Sequence, residues 1–83
     1  MRHARPEDLE AIASLLDDLR GIEGLRERSP GTFYRGSHAF LHFHADPTGM
    51  FADLKVDGEF VRSRVTTAQE QGALLVAARR AAS

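Results

Sequence analysis

The residues best suited to chemistry in this chain are two histidines and an aspartate near its centre. His42 and His44 are separated by one residue, and Asp53 follows in the next predicted strand. Residues two apart on a strand share one side, with backbone positions about 6.5–7 Å apart, so both imidazoles can reach one metal ion. Histidine nitrogens and carboxylate oxygens are common ligands of zinc, and Asp53 supplies the carboxylate. The spacing therefore permits a metal or small-ligand site.

The same spacing has a simpler interpretation. Any alternating strand with two histidines produces it, and a polar ladder of His42, Asp53 and Arg62 across neighbouring strands accounts for the same residues. This ladder, or a ligand contact without metal, is the favoured interpretation. We therefore assign no metal and no cofactor from the sequence.

Composition excludes other kinds of chemistry. The chain has no cysteine, so it has no disulfide, no thiolate metal site and no cysteine nucleophile. None of its serines lies in a nucleophile elbow, and no glycine-rich phosphate loop is present. The sequence therefore assigns no catalytic residue. It leaves enzymatic activity undecided and favours a binding role over an enzyme.

Three turn signals define the central part of the chain. Gly36-Ser37, Asp46-Pro47-Thr48-Gly49 and Asp57-Gly58 divide residues 33–65 into four alternating segments. These turns predict an antiparallel meander in which Leu41 lies opposite Leu54, and Leu54 opposite Val61. The predicted core face of this sheet carries Tyr34, Ala39, Leu41, Phe43, Met50, Ala52, Leu54, Val56, Val61 and Val65.

Helical patterns flank the meander. Apolar residues recur at helical spacing over 6–20, where Pro6 suits the first turn, and residues 21–31 are predicted to form a connecting loop. Thr67 and Glu70 form a capping box at the start of a C-terminal helix. The chain of 83 residues is thus predicted to be one α+β domain, residues 1–83. Its two layers are a four-stranded antiparallel sheet and both helices on one face, in the order α-β-β-β-β-α.

The opposite face of the sheet is predicted to have no helix over it. Its alternation mixes aromatic and charged side chains, with His42 across from Asp53 and Asp53 across from Arg62. Arg35, His38 and Lys55 are expected on this side as well. The predicted binding residues are Phe33, Phe40, His42, His44, Phe51, Asp53, Phe60, Arg62 and Arg64.

This face is interpreted first as a contact surface. Its four phenylalanines each gain about 1.5–3 kcal/mol on full burial, more than exposed ion pairs supply. We therefore expect a binding module that uses this face, most simply a homodimer, with a protein or small-ligand partner as the other possibility. A ligand or metal site centred on His42, His44 and Asp53 is the alternative function.

Single-stranded nucleic acid is a second alternative, because aromatic and basic residues alternate on the same face. The net charge of −1 and the acids Asp53 and Asp57 on this face count against it. No apolar stretch has the length of a membrane span and the N-terminus lacks a signal-peptide pattern, so a cytoplasmic location without a membrane partner is expected.

The stretch FLHFHADPTGMFADL resembles the segment around the paired histidines of a small bacterial family called the luciferase domain. The matching positions are His42, His44, Asp46, Gly49, Ala52, Asp53 and Leu54. A more diffuse resemblance to the MmcQ/YjbR-like and TfoX N-terminal families runs from the first helix to FYRGSHAFLHF. These families are small α+β modules with suspected DNA or protein partners, and the resemblance implies no catalytic residue here.

Overall fold

The computed structural model describes all residues from 1 to 83. Two helical segments and a sheet follow the chain order expected from the sequence, with two additional strands near the N-terminus. The elements are β1 Arg2–His3, α1 Pro6–Leu9, a 3₁₀ turn Glu10–Ile12, α2 Ala13–Arg20, β2 Leu25–Ser29, β3 Thr32–Arg35, β4 His38–Asp46, β5 Gly49–Val56, β6 Glu59–Arg64 and α3 Ala68–Ala82.

The sheet is antiparallel throughout. Five of its six strands run in the order β2-β3-β4-β5-β6, and β1 pairs with the end of β4 that β3 does not reach. Both the N-terminal helical segment and α3 pack on one face of this sheet, since their apolar residues share one core with it. The predicted two-layer α+β architecture is therefore confirmed, with a larger number of strands than the four expected.

The additional strand β2 lies within the segment predicted to be a loop. Its sequence, LRERS, contains a single apolar residue, Leu25, so the alternation that marks a strand is almost absent. The strand is held by β3 and by Glu27, whose carboxylate accepts hydrogen bonds from Arg20 Nε at 2.6 Å and from the Gly31 amide at 2.9 Å. These partners come from other elements, which explains why local sequence does not reveal the strand.

The predicted starts of both helices are confirmed, although the helix predicted over 6–20 is interrupted by the 3₁₀ turn Glu10–Ile12. Pro6 lies in the first turn of α1, and the Asp8 carboxylate accepts a hydrogen bond from the Arg5 amide at 2.8 Å. At the start of α3, Thr67 Oγ1 accepts from the Glu70 amide at 3.1 Å, and Glu70 Oε1 accepts from the Thr67 amide at 2.9 Å. This is the reciprocal capping box that the sequence predicts.

The three hairpin turns are also confirmed. Arg35 pairs with His38, Asp46 with Gly49, and Val56 with Glu59. In the last turn Asp57 and Gly58 have φ of 52° and 83°, the left-handed pair that suits a two-residue hairpin. The register across β4, β5 and β6 follows the prediction, including Leu41 opposite Leu54 and Leu54 opposite Val61.

A β-bulge at Phe40 changes the prediction for the β3–β4 hairpin. Phe33 pairs with Leu41 and Tyr34 with Ala39, so Phe40 has no partner on β3. A bulge lets consecutive side chains point toward the same face. Phe33 and Phe40 are accordingly 1% and 4% exposed within the core. Their predicted place on the uncovered face is wrong.

The bulge also changes the face of the sheet on which the neighbouring side chains lie. Tyr34 and Ala39, predicted in the core, are half-buried on the opposite face. Arg35 lies on the helix side, where its Nη1 donates to the Ala81 carbonyl at 3.3 Å. Its strand partner His38 shares that side and is exposed. The predicted positions of these side chains are therefore wrong as well.

The core lies between the sheet and the helices. Val61 and Val56 are predicted in the core, but they are 52% and 37% exposed. Val61 lies on the edge strand β6, whose residues are all exposed, and Val56 is the last residue of β5, next to the β5–β6 turn. The buried apolar residues are Leu9, Ile12, Leu15, Leu16, Leu19, Phe33, Phe40, Leu41, Phe43, Ala45, Met50, Ala52, Leu54, Val65, Leu74 and Ala78.

Candidate functional site

The sheet face opposite the helices has no element over it, and we call it the open face. The rows His42–Asp53–Arg62 and His44–Phe51–Arg64 run across three strands as the sequence predicts. All predicted binding residues except Phe33 and Phe40 therefore lie on this face. Its residues are His3, Arg26, Arg28, Tyr34, His42, His44, Phe51, Asp53, Lys55, Phe60, Arg62 and Arg64.

Three side chains converge at the centre of the open face, and we call His42, His44 and Asp53 the histidine–aspartate cluster. His42 Nδ1 lies 3.1 Å from His44 Nε2, and His44 Nε2 lies 3.1 Å from Asp53 Oδ2. The third side of this triangle, His42 Nδ1 to Asp53 Oδ2, is 3.8 Å. The side chains are only 10–22% exposed, so the donor atoms meet in a recess rather than in open solvent.

Arg62 holds the aspartate in place. Its Nε and Nη2 donate to Asp53 Oδ1 and Oδ2, both at 2.8 Å, in a bidentate pair. These hydrogen bonds keep the pKa of Asp53 below its ordinary value, although burial opposes the shift. Asp53 is consequently an anion at neutral pH, with its Oδ2 turned toward both histidines.

The histidines are neutral at the same pH. Burial lowers the pKa of both His42 and His44, and the attraction of Asp53 offsets this lowering only in part. A neutral imidazole retains a nitrogen lone pair, which is the form that binds metal ions. The cluster therefore presents two neutral nitrogen donors and one anionic oxygen donor.

A third histidine, His3, joins the face through β1. It pairs directly with His44, and the two ring centroids are 4.7 Å apart. The strand is held by a hydrogen bond from the Ala4 amide to the Phe43 carbonyl and by an ion pair between Arg2 and Asp8. Sequence analysis missed this residue because a two-residue strand leaves no alternating pattern to detect.

The aromatic residues of the face are packed against their neighbours. The Phe60 ring lies 4.8 Å from the His42 ring, and Lys55 Nζ lies 5.1 Å from the Phe60 centroid. The Arg64 guanidinium lies 5.9 Å from the Phe51 ring. Phe60 is 43% exposed, so it is the ring most available to a partner.

The lowered histidine pKa values predict that acid destabilises the metal-free protein. Below the ordinary histidine pKa of 6.5, the unfolded chain binds protons that the folded cluster resists, so the free energy of unfolding falls as pH drops. The lowered pKa of Asp53 acts in the same direction below about pH 4.

Urea unfolding in EDTA between pH 7 and 5 should show this fall in the free energy of unfolding. The double variant His42→Gln/His44→Gln should flatten it and His38→Gln should not; equal slopes in all three proteins would contradict it.

None of the helices is both long and apolar enough to cross a membrane. Comparisons of the chain with protein-family models, with curated proteins and with solved structures found no match. The resemblance to the luciferase domain, MmcQ/YjbR-like and TfoX N-terminal families therefore stays a prediction, and the function has to be argued from the geometry of the open face.

Proposed function

We propose that the protein binds a divalent transition-metal ion of the Zn²⁺ class at the histidine–aspartate cluster. The observation that carries this proposal is the convergence of three donor atoms at mutual distances of 3.1, 3.1 and 3.8 Å. In a tetrahedral site with bonds of about 2.0–2.1 Å, ligand atoms lie roughly 3.3–3.4 Å apart. An ion therefore requires only small side-chain shifts.

The donor set fits this class of ion. Two imidazole nitrogens and one carboxylate oxygen on one side of a sheet leave further coordination positions open toward solvent, as in sites that accept an exogenous ligand. Arg62 orients the carboxylate from behind, which is the usual task of groups around a metal site. The open position is where a small ligand would reach the ion.

The positive charge of Arg62 is the main argument against metal binding. It reduces the attraction of Asp53 for a cation, and without metal the same residues form a polar ladder in which a histidine donates to Asp53. The neutral histidines favour the metal, since an ion need not displace protons from them near pH 7. The balance between these two arrangements is what an experiment must measure.

Isothermal titration calorimetry of tag-free, chelator-treated protein with Zn²⁺ tests the proposal. We expect one ion per chain and an affinity that falls at least about 100-fold in His44→Ala, because a direct ligand matters at least as much as the groups around it. Co²⁺ substitution should produce visible absorption typical of low coordination number. His38→Ala is the matched control, since it removes an exposed histidine outside the cluster.

Two outcomes would reject a native metal site. The first is the absence of saturable Zn²⁺ binding at micromolar concentrations. The second is equal affinity in wild type, His44→Ala and His38→Ala, which would assign the heat to adventitious surface sites. Either result would leave the polar ladder as the role of the cluster.

Homodimerisation through the open face stays a prediction with reduced support. Its basis was four exposed phenylalanines, and Phe33 and Phe40 are in the core. Phe51 and Phe60 alone offer much less apolar area to a second copy. A partner or small ligand at the cluster is the better-supported use of this face.

A further inference from the structure

Charge is segregated between the two sides of the molecule. The chain has a net charge of −1, yet the strands of the open face carry the cations Arg26, Arg28, Lys55, Arg62 and Arg64. Two of these cations have a carboxylate partner. Arg62 neutralises Asp53, which is 7% exposed, and Arg64 Nε lies 3.6 Å from Glu70 Oε2 of α3. Arg26, Arg28 and Lys55 have no carboxylate partner, so they carry the positive charge of the face.

The other acids near the open face lie at its ends. Asp57 is in the β5–β6 turn, and Asp46, the last residue of β4, is bonded to Thr48. Most remaining acids are on the helix side or in its loops, where they pair with arginines such as Arg2 and Arg20. The open face is therefore electropositive although the chain is slightly acidic.

Aromatic rings accompany these cations. Arg28 lies 4.6 Å from the Tyr34 centroid, Lys55 lies 5.1 Å from Phe60, and Arg64 lies 5.9 Å from Phe51. Each ring thus has a cation beside it, on three different strands. Such pairs let a ligand place a flat group against the ring and an anionic group beside it.

We infer that the open face binds single-stranded nucleic acid, with backbone phosphates at the cations and bases stacked on Phe60 and neighbouring rings. Rings that lie on a sheet surface contact unstacked bases, which a duplex does not expose. Five strands about 4.8 Å apart make a surface roughly 19 Å across, enough for only a few nucleotides. Arg62 and Phe60 contact the histidine–aspartate cluster, but the inference does not need a bound metal, because Arg26, Arg28, Lys55 and Tyr34 lie outside it.

Two features of the sequence argue against nucleic acid, the net charge of −1 and the acids of this face, and neither opposes binding in the folded protein. The net charge of −1 hides the segregation, because most of the acids lie on the side opposite the open-face cations. Asp53, expected to repel phosphates, is buried and paired with Arg62. Homodimerisation through the same face is opposed by the same charges, since two electropositive surfaces repel each other.

Fluorescence anisotropy with a labelled fifteen-nucleotide oligothymidine, in EDTA and at low salt, tests the inference. We expect saturable binding whose log affinity falls with log salt with a slope of about −2 to −3.5, for roughly three to five phosphates at about 0.7 each. Phe60→Ala should weaken binding at least about 5-fold, the lower limit for one stacked base. Because the assay contains EDTA, a failure of the metal proposal does not affect its result.

The double variant Arg26→Glu/Arg28→Glu should weaken binding at least about 10-fold, since it reverses two phosphate-facing charges. Arg79→Glu/Arg80→Glu is the matched control, because it makes the same charge change at exposed positions of α3 on the helix side. Circular dichroism of each variant verifies that the fold is retained. The control should bind within about 2-fold of wild type, as expected for charges on the opposite side.

Several results would overturn the inference. These are no binding at low salt, equal loss in both double variants, and an unlabelled duplex competing as well as the single strand. An unchanged affinity in Phe60→Ala would likewise remove base stacking from the interaction. Binding to vesicles rich in phosphatidylserine without binding to the oligonucleotide would assign the face to an anionic membrane surface instead.

Discussion

Replacing Phe33 by Ala is expected to lower the free energy of unfolding by about 3–5 kcal/mol, the usual range for a buried phenylalanine. Phe33 is 1% exposed and is among the largest fully buried side chains of the core. Phe60→Ala, at a position that is 43% exposed, should cost less than about 1 kcal/mol. The contrast arises because the bulge at Phe40 turns Phe33 toward the helices, whereas Phe60 stays on the open face.

Urea denaturation followed by far-ultraviolet circular dichroism measures both changes. A domain of this size has limited stability, so Phe33→Leu is measured beside Phe33→Ala. It retains most of the apolar volume and should lose clearly less free energy of unfolding. Similar losses in Phe33→Ala and Phe60→Ala would mean that the bulge is absent and that both rings occupy equivalent positions. Partial recovery in Phe33→Leu would identify the loss in Phe33→Ala as one of core packing.

Gly49→Ala is the second substitution with a large expected effect. Gly49 has a φ of 143°, and a Cβ built there would lie 2.2 Å from Thr66 Oγ1. That hydroxyl accepts a hydrogen bond from the Met50 amide at 2.9 Å and donates to the Met50 carbonyl at 3.3 Å, so it has little freedom to move. Backbone strain together with weakened hydrogen bonds should cost about 2–5 kcal/mol.

Gly36→Ala is the matched control for Gly49→Ala. Gly36 also has a positive φ, 62°, but nothing lies within 4 Å of its added Cβ, so its cost should be about 1 kcal/mol of backbone strain alone. In a Thr66→Ala background, Gly49→Ala should lose part of its effect, because the contact with the hydroxyl is gone while Arg64 Nη2 and the residue 66 Cβ remain 3.3 Å from the added Cβ. Equal costs at the two glycines, with no coupling to Thr66, would show that the close approach has no energetic importance.

Short sequence motifs determined the hairpin turns, the helix start and the register of the central strands. Asp57-Gly58 predicts its hairpin because the turn needs two left-handed residues, and Thr67 with Glu70 predicts a helix start because each bonds the other's amide. Once the turns are placed, the two-residue period of strands sets the register. The row His42–Asp53–Arg62, the centre of the candidate site, was therefore predictable from sequence alone.

The tertiary structure decided the rest. The bulge at Phe40 puts Phe33 and Phe40 under the helices, and alternation counted from the Gly36-Ser37 turn does not include the extra residue. The strand β1, which brings His3 beside His44, exists because β4, far along the chain, completes it. The charged strand β2 pairs with its neighbour β3, but it lacks the apolar alternation that would reveal it in the sequence. The electropositive open face was hidden as well, since net charge is a sum over the chain, whereas binding depends on which charges the fold buries and pairs.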